Sequence, residues 1–280
     1  WPAASAKVAE KGDYETLKGT YAGDGNKETI LALKFTATQD YNGNNDSNRW
    51  QVMLGMRQLN AAPYCKGWGA LTVNPDFVEA FPTGDLRRSS IIDLVGEEIT
   101  GSADFTTSFN DWREYTGYAV KKYAPLCYAD GSHAGKQDGS GDFQTQNRQD
   151  YVIIRYADAE LGSPNAQTYF DQVRKRAYQV DDNGTVSANY QAKSVSQQAI
   201  MEERRLEFAF ESINYWDLLR QGIDVAAEKL ALNGVKVKSG GADDAITIRV
   251  DRVKATKGLS QIPYNQINLS QSVLVQNPGW

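Results

Sequence analysis

The sequence predicts a mainly α fold with irregular loops and a few short strands. Two stretches, 163–177 and 194–222, carry apolar residues at helical spacing between helix start and stop signals. Strand-like alternation is confined to short runs, such as Leu31, Leu33, Phe35 and Ile246, Ile248, Val250. Between them lie segments dominated by Gly, Asn, Asp and Ser, which favour turns over a packed core.

A chain of 280 residues suffices for one domain with a sizeable core. The net charge of -5 and the lack of a basic run argue against a nucleic-acid partner. No apolar run reaches the length of a membrane-spanning helix. The 15 Tyr and 6 Trp residues supply rings for stacking on sugars or flat ligands, although rings also serve as core and rim. Cys65 and Cys127 permit a disulfide or two separate buried thiols; sequence gives no Cα distance to decide. His133 is the sole histidine and sits in a Gly/Ser/Asp loop. A Ser–His–Asp triad would have to pass through it, and a zinc site would rest mainly on carboxylates or cysteines. No cofactor is expected.

In chain order, residues 4–22 read as a helix interrupted by Gly12, and 23–26 as a turn. Glu28 to Phe35 reads as a strand. Residues 39–50 form a polar loop with Tyr41 and Trp50 near its ends. It is read as a solvated turn, as a sugar contact in which Asn45 and its neighbours bind hydroxyls while a ring stacks, or as a structural calcium site through Asp40, Asn42, Asn44, Asn45 and Asp46. The spacing is not that of a twelve-residue calcium loop. Tyr64 and the glycine-flanked Trp68 can face a ligand or cover the core. Asp76 can act as a helix N-cap, with Glu79 completing a capping box. Residues 101–118 are rich in rings, Trp112 among them, and a strand begins near Tyr118. Residues 129–142 have no capacity for a core.

Tyr151 to Asp158 reads as an apolar strand. Ser163 as N-cap and Pro164 at the first helical position open a helix with Phe170, Val173 and Ala177 on one face and Arg174, Lys175 and Arg176 in the last turn. Residues 181–184 are a turn. Residues 194–222 read as one helix, with Ser194 as N-cap, Gln197 completing a capping box and Gly222 as its stop. Its apolar residues occupy more than one face, so it is packed on much of its circumference. Glu203, Glu207 and Glu211 recur at four-residue spacing and should repel, with Arg204 offsetting part of that. Burying so many charges implies internal ion pairs. A short helix from Val225 to Leu232, a turn at 239–242 and a strand through Ile246, Ile248 and Val250 complete the pattern.

The run Glu-Arg-Arg-Leu-Glu-Phe-Ala-Phe-Glu (203–211), followed by Tyr-Trp-Asp-Leu-Leu-Arg-Gln-Gly (215–222), resembles the signature helix of the SusD/RagB family. Those are surface lipoproteins of Bacteroidota that capture nutrients for a TonB-dependent transporter. Ser212, Ile213 and Asn214 depart from the family pattern, which usually begins with Gly there. Other stretches are similar too: the turn and Glu-x-Ile strand after residue 22, Pro-x-Phe-Val-x-Ala-Phe (75–81) followed by Asp85 and Arg87, the strand into Arg-Tyr-Ala-Asp (155–158), the arginine-ended helix, and the tail from Gly258 to Trp280. At 75–88 the resemblance implies a short helix ending before an acidic-plus-arginine turn, here Asp85 with Arg87 and Arg88. The family carries another apolar helical turn after that Asp, so either a deletion or a chain gap follows Asp158.

The resemblance implies a single region, residues 1–280, equivalent to the C-terminal half of a family member. It also implies tetratricopeptide-type helix pairing around 151–222. The helical N-terminal half and its lipid-anchored cysteine are not in this chain. The implied function is non-catalytic: binding a nutrient, an oligosaccharide first, at the outer face of the outer membrane and passing it to a SusC-like transporter. A peptide ligand, as for RagB-like relatives, is the runner-up. A glycoside hydrolase remains an alternative, but no spacing selects a carboxylate pair. Tyr41, Asn45, Trp50, Tyr64, Trp68 and Trp112 are the expected ligand contacts. Glu203, Arg204, Glu207, Glu211 and Asp217 are expected to brace the scaffold.

Overall fold

The computed structural model describes residues 29–35, 47–57, 64, 66–94, 114–125, 144, 150–155, 165–181, 183–271 and 273–280. In order these form β1 (Thr29–Leu33), α1 (Arg49–Leu54), β2 (Met56–Arg57), β3 (Lys66–Gly67), α2 (Pro75–Val78), a 3-10 turn (Leu86–Ser90), β4 (Ile91–Asp93), β5 (Tyr118–Val120) and β6 (Tyr151–Arg155). They continue as α3 (Ala166–Ala177), α4 (Gln197–Glu207), α5 (Asn214–Arg220), α6 (Ile223–Leu230), β7 (Leu232–Ser239), β8 (Ala242–Ile248), α7 (Val250–Thr256) and α8 (Tyr264–Leu269). The described strands pair in twos: β1 with β6, β4 with β5 and β7 with β8 antiparallel, and β2 with β3 parallel. The protein is thus mainly helical, with short strands between irregular loops.

The core gathers around β4 and β5. Ile91 and Ile92 point to opposite faces of β4, and both are fully buried, so this strand is covered on two sides. Leu54, Met56, Val78, Phe81, Val120 and Tyr123 pack in the same cluster, with Phe77, Leu206 and Phe210 against its edge. Next to it, β3 lies on the end of α1. A Cβ on Gly67 would sit 2.5 Å from the Gly55 Cα and the Val52 carbonyl oxygen, so only glycine allows the approach. Val52, Gly55 and Met53 carbonyls then accept from Trp68, Gly69 and Ala70.

The signature stretch is two helices rather than one. Ser196, not Ser194, caps α4 by accepting from the Ala199 N–H at 3.0 Å. The helix stops at Glu207, and the chain turns through Phe210 (φ 65°) and Ser212 (φ 62°) before α5. Three side chains from elsewhere take carbonyls at this break. Lys122 donates to Glu207, Trp50 Nε1 to Phe210 and the Tyr151 hydroxyl to Glu211. A helix end leaves its last carbonyls without internal partners, and here the tertiary fold supplies them. The apolar periodicity runs through the break, which is why sequence alone extends the helix.

Other expectations shift by local chemistry. Asn74, not Asp76, caps α2, and Pro75 fills its first position. The short helix near Val225 is Ile223–Leu230, and Leu232 begins a strand instead. β7 and β8 form a hairpin closed by Gly240 and Gly241, both at positive φ as a tight two-residue turn requires. Val250 opens α7 rather than closing a strand. Asn165 stands at the N-cap of α3, while Ser163 and Pro164 lie outside the described residues.

Candidate functional site

The densest chemistry lies where α3, α4, the 3-10 turn and the segment after β5 converge. Asp85 starts the 3-10 turn by accepting from the Arg87 N–H at 3.0 Å. That turn points the Arg87 side chain inward, where Asp85 grips its guanidinium at two points, 2.9 and 2.7 Å. The far side of Arg87 meets Glu203 at 2.5 Å and Glu207 at 3.1 Å. From α3, Arg174 reaches the second oxygen of Glu203 at 3.2 Å, and Arg176 takes the second oxygen of Glu207. Lys122 pairs with Glu211 and also donates to the Glu207 carbonyl. Beside this group, Asp217 of α5 accepts a bidentate bond from Arg204 and a contact from Arg220.

Among the described residues the charges match in number: Arg87, Lys122, Arg174 and Arg176 face Asp85, Glu203, Glu207 and Glu211. Arg204 pairs with Asp217 and stacks over the Phe208 ring. Burial works against the Arg87 charge, but the bond to Asp85 and the charges of Glu203, Glu207 and Asp85 hold its pKa above the ordinary arginine value. Burial pushes the Glu203 carboxyl above the usual range, against the pull of Arg87 and Arg174. Glu207 and Glu211 are nearly closed to solvent. General acid–base work needs a carboxylate within reach of a substrate. Both oxygens of Glu203 and of Glu207 are already held by arginines.

The expected ligand contacts are dispersed. Tyr41, Asn45 and Trp112 lie outside the described residues, as do the proposed calcium loop, Cys65, Cys127, His133 and the Asp158 junction. Tyr64 is 3% exposed and belongs to the core, so the exposed-ring reading does not hold for it. Trp50 lies in the first turn of α1, one residue after Arg49, rather than ending a loop. Its indole N–H is committed to the Phe210 carbonyl at 3.0 Å, and its ring meets Tyr151 edge-on. Trp68 is half-buried and stands outside the core cluster. Arg49 lies over its ring at 5.2 Å, and Gln144 accepts from its indole N–H at 2.9 Å. The glycines on either side carry it: Gly67 for close approach, and Gly69 at φ 55° for the turn that follows. Among the described residues no group of three or more His, Cys, Asp or Glu could hold a metal ion, and no helix is long and apolar enough to cross a membrane.

Sequence reasoning marked Asp85 and Arg87 only as a turn, and it missed Lys122 as a partner of Glu211. The one available signal was a pair of lysines beside an apolar strand, Val120-Lys121-Lys122-Tyr123.

Comparison with known proteins gives one family. The model of the SusD family matches residues 94–280. No curated protein matches. Among solved structures, a laminarin-binding SusD-like protein is 26% identical, with a TM-score of 0.63; the match covers 96% of this chain and 53% of that one. Surface glycan-binding protein A from Bacteroides thetaiotaomicron, in complex with laminarihexaose, is 21% identical with a TM-score of 0.63, covering 99% of this chain and 60% of that one. Its namesake from Bacteroides fluxus is 23% identical with a TM-score of 0.62, covering 100% and 59%. The chain therefore spans between 53 and 60% of the length of these relatives.

Proposed function

The chain belongs to the SusD family, and from that premise we propose that it is a non-catalytic surface protein that binds an oligosaccharide and hands it to a SusC-like TonB-dependent transporter at the outer membrane. One contrast supports this reading. Glu203, Glu207 and Glu211 are locked in ion pairs inside the scaffold, while Trp68 stands outside the core cluster with its orientation fixed from two sides. Gln144 holds the indole edge and Arg49 covers the ring, so little freedom remains to be lost on binding. A ring so held can stack on the apolar face of a sugar, and neighbouring amides can take its hydroxyls. Tyr41, Asn45 and Trp112 are proposed to complete the contact. The solved relatives that bind laminarin or laminarihexaose suggest the first ligand to try. Attachment to the outer membrane through a lipid anchor is part of the same proposal.

Isothermal titration against laminarihexaose and a panel of other oligosaccharides tests the reading. Saturable heat with at least one glycan is expected, weakened about tenfold or ~1.4 kcal/mol by Trp68→Ala. Near-UV circular dichroism of that variant checks that the fold survives. No heat with any glycan, but heat with peptides, moves the protein to the RagB-like reading. Release of reducing sugar that disappears on replacing a single Asp or Glu would make it a hydrolase.

A further inference from the structure

Among the described residues, asparagine precedes glycine at Asn183-Gly184 and at Asn233-Gly234. Such a pair is chemically vulnerable, because glycine has no side chain to shield its backbone nitrogen from the amide carbon of the residue before it. The two pairs stand in different surroundings. Asn183 and Gly184 are exposed in the turn between Gln179 and Val186, which bridge antiparallel. The Asn183 side chain makes no hydrogen bond among the described residues; only its backbone N–H is engaged, by Asp181. The Gly184 N–H reaches the Asp181 carbonyl only at 3.4 Å, long for a hydrogen bond. Asn233 and Gly234 are exposed too, but the Gly234 N–H donates to the Thr247 hydroxyl at 3.1 Å. Paired residues of β7 and β8 flank them on both sides, Leu232 with Ile248 and Val235 with Ile246. Freeing the Gly234 nitrogen means opening a hairpin, whereas a turn opens at little cost.

We propose that Asn183 is a self-modifying site, converted by water to aspartate or isoaspartate in the folded protein several-fold faster than Asn233. Hydroxide removes the Gly184 amide proton, and the electron pair left on that nitrogen forms a bond to Asn183 Cγ. The Cγ–Nδ2 bond breaks and ammonia leaves, its last proton drawn from water, which restores the hydroxide. A second water opens the cyclic imide at either carbonyl, so the sum is one water taken up and one ammonia released, with no oxidant or cofactor. Opening at one carbonyl gives aspartate, a new charge beside Asp181. Opening at the other puts the side-chain methylene into the backbone. The Asp181 carboxylate takes the Asn183 N–H, the Thr185 N–H and the Thr185 hydroxyl at 3.0, 2.9 and 2.7 Å, and a lengthened backbone cannot keep all three. The loss reaches inward. This turn closes the pairing of Tyr178 with Ser187, and the Tyr178 ring meets Tyr190 edge-on, over which lies Arg174, the partner of Glu203.

The test is incubation of the folded protein in mildly alkaline buffer, followed by cleavage after lysine and arginine in mildly acidic buffer and mass spectrometry. Asn183 then lies in the fragment Ala177–Lys193 and Asn233 in Leu230–Lys236, so the two are read separately. The first fragment is expected to gain the mass of an amide exchanged for an acid several-fold faster than the second, with fragment ions placing the change at Asn183. In concentrated urea, where turn and hairpin are both lost, the two rates are expected to converge. Conversion of Asn233 as fast as Asn183 in the folded protein overturns the proposal, as does a change located at Asn189. The same ratio of rates in urea as in buffer also overturns it, because neighbouring residues in sequence, and not the fold, would then set the site.

Discussion

Arg87 and Glu207 lie 120 residues apart in sequence and meet at 3.1 Å, with neither side chain more than 2% exposed. The pair joins the 3-10 turn to the end of α4. Removing the guanidinium leaves Asp85, Glu203 and Glu207 with one cation fewer in a closed site. Breaking a buried pair by deleting one partner costs about 3–5 kcal/mol. Arg87→Met is therefore expected to lower the unfolding free energy by that order in urea titrations. Arg87→Lys should fall between, since a lysine cannot reproduce the two-point grip on Asp85.

Lys122 offers a sharper test, because it serves two acceptors at once. Its ammonium pairs with the Glu211 carboxylate and donates to the Glu207 carbonyl, where α4 ends. Lys122→Met should cost about 3 kcal/mol, as the buried Glu211 carboxylate loses its lysine. Adding Glu211→Gln to it should restore part of that loss. The double-mutant cycle is expected to show coupling of about 1–3 kcal/mol between the two sites. Strict additivity would mean that the pair contributes nothing as a pair.

The helix-forming segments and the apolar strand at β6 were legible in the sequence because their signals are local. Arg174 and Arg176 sit in the last turn of α3, as their spacing indicates, but nothing local shows that they turn inward to Glu203 and Glu207. Likewise Arg87 and Arg88 are adjacent and chemically alike. Only Arg87 is buried, while Arg88 stays about one-third exposed near Asp93. The break after Glu207 is invisible for the same reason. Its carbonyl partners Trp50, Lys122 and Tyr151 lie 60 to 160 residues away. Trp50 was legible as an aromatic near a polar loop but not as a clamp on that break.

Glu203 gives the brace a pH signature. Burial raises its folded pKa above the unfolded carboxyl value, with Arg87 and Arg174 opposing. The folded state therefore binds more proton than the unfolded one in the window between the two values. The contribution of this group to stability is full below the unfolded value, near about 4.3, and is lost as pH rises through the higher folded value. Glu203→Gln removes that dependence. The stability difference, wild type minus variant, is expected to fall as pH rises above about 4 in denaturant titrations. A difference that rises instead would reverse the assignment.

Ser212 lies in the break between α4 and α5 and carries a backbone strain that can be tested. The residue is exposed and sits at φ 62°, the left-handed region in which a side chain is disfavoured and glycine is not. The turn cannot relax, because Phe210 before it packs edge-on against Phe77 and its carbonyl is held by Trp50. Ser212→Gly should relieve the backbone strain and return part of the gain as unfolded-state entropy, a net stabilisation of about 0.5–1 kcal/mol. Ser212→Val should move the other way, because a β-branched residue is worse still at positive φ. Melting temperatures ordered Gly, Ser, Val from high to low are the expected result. An unchanged or lowered value for the glycine variant would mean that the serine side chain contributes a contact that outweighs the strain.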